Sequence, residues 1–195
     1  MVKISRRHFI GSGLAAGAMF SFPAPALIAR GANEKIRVGG IGCGWRGGDL
    51  LSKFSKSPDA KVVALADPSA DNLAAKRQKF PDIKGYQDLR QLIDDKNIDV
   101  VYVATCNHWH CLAAIWAMQA GKDVYVEKPL AHTPWEGDQV VLAARKYNKI
   151  CQVGTQQRSD PMQAEIKKFL YEEKALGNIL SARVNRYGVR ASIGK

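Results

Sequence analysis

The chain has 195 residues, 46% hydrophobic and 24% charged, with a formal net charge of +11. That length holds one good-sized domain, or one domain and part of another, and outside the N-terminal stretch no apolar run is long enough for a membrane span. The first 26 residues carry three basic groups and no acid, leaving +8 for the rest; those Lys and Arg are scattered over predicted helix faces with no basic stripe interleaved with aromatics, which argues against nucleic-acid binding.

The N-terminus reads as an address. Ser5-Arg6-Arg7-His8-Phe9-Ile10 gives a charged start, a mildly apolar run rich in Gly and Ala extends from Phe9 to Phe22, and Pro23-Ala24-Pro25-Ala26 supplies small residues for cleavage after Ala26. The paired arginines resemble a twin-arginine export signal, so residues 1–26 are expected to direct the protein to the periplasm and to leave no stable membrane span once removed. Residues 27–34 read as a linker.

From there strands and helices alternate. Ile36–Ile41 is predicted as a strand and Gly44–Lys56 as a helix; Lys61–Ala66 is the next strand, and Ser69–Phe80 the next helix, with Pro81 beyond its end. A short strand is expected at Ile83–Tyr86 and a helix at Asp88–Asp94. Asp99–Thr105 is a continuous apolar run with β-branched residues, as a buried parallel strand requires. His110–Ala120 has helical apolar spacing and stops at Gly121; Asp123–Glu127 is a strand; Thr133–Tyr147 is a helix with Thr133 as cap and Glu136 at the third position; Ile150–Val153 is a last strand. This order predicts an α/β fold, a Rossmann-type doubly wound parallel sheet over residues 35–157. Ligands of such sheets sit beyond the carboxyl ends of the strands. Asp67, Thr105–His110, Glu127–Pro129 and Gly154–Arg158 should therefore share one rim.

The richest stretch on that rim is Gly42-Cys43-Gly44-Trp45-Arg46-Gly47, between the first strand and its helix. The first glycine allows a tight turn, the second lets backbone approach a pyrophosphate, and the third lets the helix pack close, with free N–H groups at its start facing the phosphates. Asp67 follows at the end of the second strand, where a carboxylate accepts hydrogen bonds from an adenosine ribose and repels a 2′-phosphate. A protein that needs free dinucleotide outside the cytoplasm would have to fold around it before export, which suits a twin-arginine signal.

Other residues leave more than one reading open. Lys128, before Pro129, is either a proton acceptor for a hydroxyl undergoing oxidation or an ordinary exposed lysine. His108 and His110 have no evident third metal ligand, so contacts to a ribose or amide, or simple packing, are expected in place of a metal. Gly154-Thr155-Gln156-Gln157-Arg158 is suited to a polyol or cofactor, or is a helix-start loop. Cys43, Cys106, Cys111 and Cys151 are expected as small buried hydrophobes and not as a disulfide or zinc set.

Asn107-x-x-His110, Ala120-Gly121-Lys122 and Glu127-Lys128-Pro129, behind the glycine loop, together resemble the Gfo/Idh/MocA oxidoreductases over about Lys35 to Gly188. The twin-arginine leader, the Asn-His-Trp-His loop and the Val-Gly-Thr-Gln-Gln-Arg turn are most similar to an exported subgroup. The resemblance implies NAD-dependent oxidation or reduction of a sugar or cyclitol, with NADP disfavoured by Asp67. It implies Lys128 as the catalytic lysine. Gly42, Gly44, Trp45, Arg46, Gly47 and Asp67 would bind the cofactor, joined by Thr105, Asn107, His110, Glu127, Pro129 and Gln156 on its nicotinamide side. Lys128, Gln156 and Arg158 would lie near the substrate.

The chain departs from the family in having Cys106 where proline is usual. Residues 158–195 are expected to supply a connecting helix and the opening strand, Gly177–Val184, of a second α+β domain that completes the substrate pocket and makes a homo-oligomer contact. Two alternatives stand beside the oxidoreductase: an NAD-dependent glycoside hydrolase using transient oxidation, and a non-catalytic dinucleotide-binding remnant.

Overall fold

A computed structural model describes residues 35–185, 187 and 188. The predicted export signal and linker, residues 1–34, lie outside the described residues. The elements run β1 (Ile36–Ile41), α1 (Trp45–Lys56), β2 (Ala60–Ala66), α2 (Ala70–Lys79), β3 (Lys84–Tyr86), α3 (Leu89–Asp94), β4 (Val100–Val103), α4 (His110–Gln119), β5 (Asp123–Glu127), α5 (Pro134–Tyr147), β6 (Cys151–Gly154) and α6 (Pro161–Lys167). All neighbouring strands are parallel, in the order β3-β2-β1-β4-β5-β6. This is the doubly wound Rossmann order, and the chain reverses its winding direction between β1 and β4.

Local chemistry sets the helix ends. Ser69 accepts a hydrogen bond from the Asn72 amide at the start of α2, and Asp88 caps α3 through the Arg90 amide. Thr133 and Glu136 form a reciprocal capping box on α5, with Pro134 as the first helical residue. Gly121 ends α4 at φ +82°, a left-handed conformation that favours glycine.

The sheet is buried on both faces, which explains why its strands read as apolar runs without alternation. Val38, Val62, Leu65 and Tyr102 pack with Leu50, Leu51 and Leu73 from α1 and α2. On the other face Ile41, Val101, Val103, Val124 and Val126 pack with residues of α3, α4 and α5, among them Leu92, Ala113, Met118 and Val140. Each fully buried Leu or Val contributes about 1.5–3 kcal/mol of transfer free energy. Lys122, just before β5, is buried, and its ammonium donates to the carbonyls of Asp95 (2.7 Å) and Ile98 (2.9 Å). Burial pulls its pKa below the usual lysine range. It pins the α3–β4 connection at the end of the sheet opposite the glycine loop.

After β6 the chain leaves the sheet. The connecting helix is present as α6, followed by a π-helical turn at Lys168–Glu172. Over residues 177–184, where the opening strand of a second domain is expected, the described residues are exposed and carry no strand ladder. A strand holds its shape through a neighbouring ladder, and none is offered here. Among the described residues no helix is long and apolar enough to cross a membrane.

Candidate active site

The glycine loop closes the β1–α1 junction as its spacing demands. Gly42 has φ +95°, and a Cβ there would lie 2.5 Å from the Ala104 carbonyl oxygen. At Gly47 a Cβ would lie 1.9 Å from the Gly42 carbonyl oxygen, so a side chain there would push α1 off the strand. Gly44, the N-cap of α1, instead faces open space, with nothing within 4 Å of the position a Cβ would take.

That space belongs to a cavity of about 870 Å³ whose walls include Gly42, Gly44, Trp45, Arg46, Asp67 and Thr105. The start of α1 has no side-chain cap and no acidic residue in its first turn, so its amides are free to meet an anion. A room of this size, floored by glycine and ended by uncapped helix amides, fits the pyrophosphate of a dinucleotide.

Asp67 stands at the end of β2 and is buried. Its Oδ2 accepts from the Cys43 amide at 2.7 Å, and its Oδ1 accepts from the Ser69 amide at 2.9 Å and from Asn72 Nδ2 at 3.3 Å. The carboxylate is thus fixed against the glycine loop with lone pairs left for a ribose. Cys43 is buried beside it, and burial, followed by the Asp67 charge, pushes its thiol up to about 12.

A second group of predicted residues lies at the ends of β5 and β6 and not on the cavity wall. Glu127 is buried, and its Oε1 receives Arg46 Nε at 2.7 Å and Nη2 at 2.6 Å. The Tyr125 hydroxyl donates to the same oxygen at 3.4 Å, and Arg46 also pairs with Asp49. With its amide nitrogen turned to the Gly154 carbonyl (2.7 Å), Gln156 offers its oxygen to Arg46 Nη2 at 2.8 Å. Hydrogen bonding to Glu127 holds the Arg46 guanidinium above its ordinary pKa.

His110 is also buried, its Nδ1 2.7 Å from the Pro129 carbonyl oxygen and its Nε2 3.2 Å from that of Thr105. Both neighbours are acceptors and a neutral ring has one N–H, so the shorter contact assigns the donated hydrogen bond to Nδ1 and the Pro129 carbonyl. Lys128 and Pro129, joined by a cis peptide, are exposed between these two anchors, as are Asn107, Gln156 and Arg158 nearby in sequence. Lys128 has no ion-pair or hydrogen-bond partner among the described residues.

The structure therefore gathers Gly42, Gly44, Trp45, Arg46, Asp67 and Thr105 around one cavity, places Gly47 beneath it, and ties Glu127, Gln156 and His110 to its walls through Arg46 and Thr105. Sequence reasoning missed Asn72, Leu89, Arg90 and Trp116 in the same lining. The rim rule would have reached Leu89 and Arg90, which follow β3. Cys106, expected to be buried, is exposed on the cavity wall, because the strand ends at Val103 and the loop turns outward. No group of three or more His, Cys, Asp or Glu side chains able to hold a metal occurs among the described residues.

Residues 36–155 match the family described as "Oxidoreductase family, NAD-binding Rossmann fold". The chain belongs to the Gfo/Idh/MocA family. This Gfo/Idh/MocA domain is 41% identical over 126 residues to a levoglucosan dehydrogenase of Pseudarthrobacter phenanthrenivorans, covering 65% of this chain and 32% of that protein. It is 32% identical over 138 residues to an inositol 2-dehydrogenase of Salmonella paratyphi B, covering 69% and 41%. An alpha-N-acetylgalactosaminidase of Shewanella oneidensis is 30% identical over 182 residues, covering 77% and 39%. Among solved structures, the WlbA dehydrogenase of Bordetella pertussis, in complex with NADH and UDP-GlcNAcA, superposes with TM-score 0.68 at 26% identity over 74% of this chain and 44% of that one. The chain spans about a third to two-fifths of the length of these curated relatives. It carries the family's NAD-binding Rossmann domain.

Proposed function

We propose that the protein oxidises a hydroxyl of a sugar or cyclitol, with Lys128 as general acid and base. The observation that carries this reading is the placement of Lys128: exposed, unpartnered among the described residues, and one residue beyond the buried Glu127, whose pair with the half-buried Arg46 ties β5 to the glycine loop. Bound NAD would supply the hydride acceptor for the hydroxyl-bearing carbon. Lys128 Nζ takes the hydroxyl proton, leaving a carbonyl product, and must reach that step as the neutral amine. Asp67 favours NAD because a 2′-phosphate would meet its fixed charge. Gln156 and Arg158, exposed after β6, are suited to hydrogen bonding a polyol. Dehydrogenases of levoglucosan and inositol among the relatives support this substrate class.

The test is reduction of NAD+ by the full-length protein against a panel of sugars and cyclitols that includes levoglucosan and myo-inositol. Replacement Lys128→Met is expected to lower kcat by about 10²- to 10⁴-fold. Full turnover in that variant would remove the lysine from the mechanism.

A second reading, glycoside hydrolysis through transient oxidation by resident NAD, is favoured by the match to an alpha-N-acetylgalactosaminidase. The two separate on net redox: a dehydrogenase releases NADH with each turnover, whereas a hydrolase frees a sugar and accumulates none. Export through the twin-arginine route is part of the same proposal, supported by Arg6, Arg7, Phe9 and Ile10. Retention in the cytoplasm of the Arg6→Lys, Arg7→Lys double variant is the expected result, and its arrival in the periplasm would refute the route.

A further inference from the structure

Lys128 is free at its ammonium end, yet the residues on each side of it are held: the Glu127 side chain by the half-buried Arg46, and the Pro129 and Leu130 carbonyls by the buried His110 and Cys111. We infer that Arg46 and His110 are positioning residues that hold Lys128 from either side, and not direct ligands of the dinucleotide. The inference rests on the proposed role of Lys128.

On the N-terminal side, Arg46 belongs to the first turn of α1 and spans from the glycine loop to β5, 81 residues away in sequence, to reach Glu127 through two of its nitrogens. Asp49 and Gln156 take up two more of its donors. A guanidinium already shared among two carboxylates and an amide oxygen has little left for a phosphate, although its chain position between the glycines suggests a phosphate clamp. Its planar fork is suited to this work, since two donors converging on one buried carboxylate fix direction as well as distance.

On the C-terminal side, His110 donates to the Pro129 carbonyl, and the Cys111 thiol donates to the Leu130 carbonyl at 3.0 Å. Both donors open α4, so the segment after Lys128 is hung from that helix. Glu127 and Pro129 are thereby tied to two different helices, α1 and α4, which flank the switch point where the cavity lies. A base acting on a bound hydroxyl must be held to a fraction of an ångström, and a misplacement of about 1 Å costs on the order of 10²-fold in rate.

The experiment compares the full-length wild type with Arg46→Met, Arg46→Lys, His110→Ala, His110→Gln and Lys128→Met. It measures amide hydrogen exchange over residues 127–131, the dissociation constant for NAD+, and kcat and KM with levoglucosan and myo-inositol. Arg46→Met and His110→Ala should speed exchange over residues 127–131 by about fivefold or more and lower kcat by about tenfold or more, while the NAD+ dissociation constant stays within about threefold. The conservative Arg46→Lys and His110→Gln variants should recover part of each loss and keep the question open to measurement if the larger changes prevent folding. Unchanged exchange over 127–131 would overturn the inference. So would a tenfold or greater loss of NAD+ affinity with exchange unaltered, because that would make these residues cofactor ligands. Lys128→Met separates the two claims: it should abolish turnover with residues 127–131 as protected as in the wild type. If it leaves turnover intact, the proposed chemistry fails while the exchange data still decide whether Arg46 and His110 hold the segment.

Discussion

Cys43 shows how far a single group is altered by its place in this fold. A thiol that ordinarily titrates near 9.0 is pushed up to about 12 by burial and by the Asp67 carboxylate whose oxygen accepts the Cys43 amide. Its proton is held more tightly in the folded chain than in the unfolded one. The resulting contribution to stability is therefore complete below about pH 9 and is lost as pH rises through about 12. Relative to a Cys43→Ala variant, the wild type is expected to lose about 2–3 kcal/mol of unfolding free energy between pH 8 and pH 11, read from urea titrations at the two pH values. No change in that difference would mean that the thiol titrates as it does in solvent.

At the scale of elements, the β1–α1 junction is the tightest fit. Gly47→Ala would set a methyl carbon against the Gly42 carbonyl, and because that atom is backbone the helix must move. The expected outcome is a loss of about 1–3 kcal/mol in stability, together with at least a tenfold loss of NAD+ affinity measured by titration. A variant with native affinity would show that α1 need not touch β1 there. This junction was legible in the sequence because glycine spacing and backbone contact are both local. The cap at Thr133 was legible for the same reason: a side chain reaching an amide three residues away needs no knowledge of the rest of the fold. The Arg46–Glu127 pair was not, since it joins residues 81 apart and exists only once α1 and β5 meet above the sheet. Nor was the seat of His110 between the Pro129 and Thr105 carbonyls, which depends on where the chain passes after Lys128. The strand expected at Gly177–Val184 marks the other limit: an extended, apolar pattern becomes a strand only beside a partner.

The whole molecule gathers its predicted rim through topology. Residues from five strand ends, scattered from Gly42 to Gln156, come together because every strand is parallel and points its carboxyl end the same way. One consequence can be measured on the intact protein without any substrate. A dinucleotide binding only the folded state at 100 times its dissociation constant should add about 2.7 kcal/mol to the unfolding free energy. NAD+ should raise the thermal midpoint accordingly, and NADP+ at the same concentration should raise it less. An equal shift for both would show that Asp67 does not discriminate.

The bond between the Asp67 carboxylate and the Cys43 amide has a further implication for redesign. The carboxylate that would turn away a 2′-phosphate also anchors the turn that would carry the pyrophosphate. Exchanging Asp67 for a neutral, shorter residue to admit NADP would leave the Cys43 amide buried without its acceptor, at a cost of about 1–3 kcal/mol. Cofactor preference and loop rigidity are therefore one trait in this chain, and lineages or engineers that alter the first should need a compensating change at the second. In this scaffold Asp67→Asn, which keeps an acceptor oxygen for Cys43, should shift preference toward NADP while retaining more stability than Asp67→Ala.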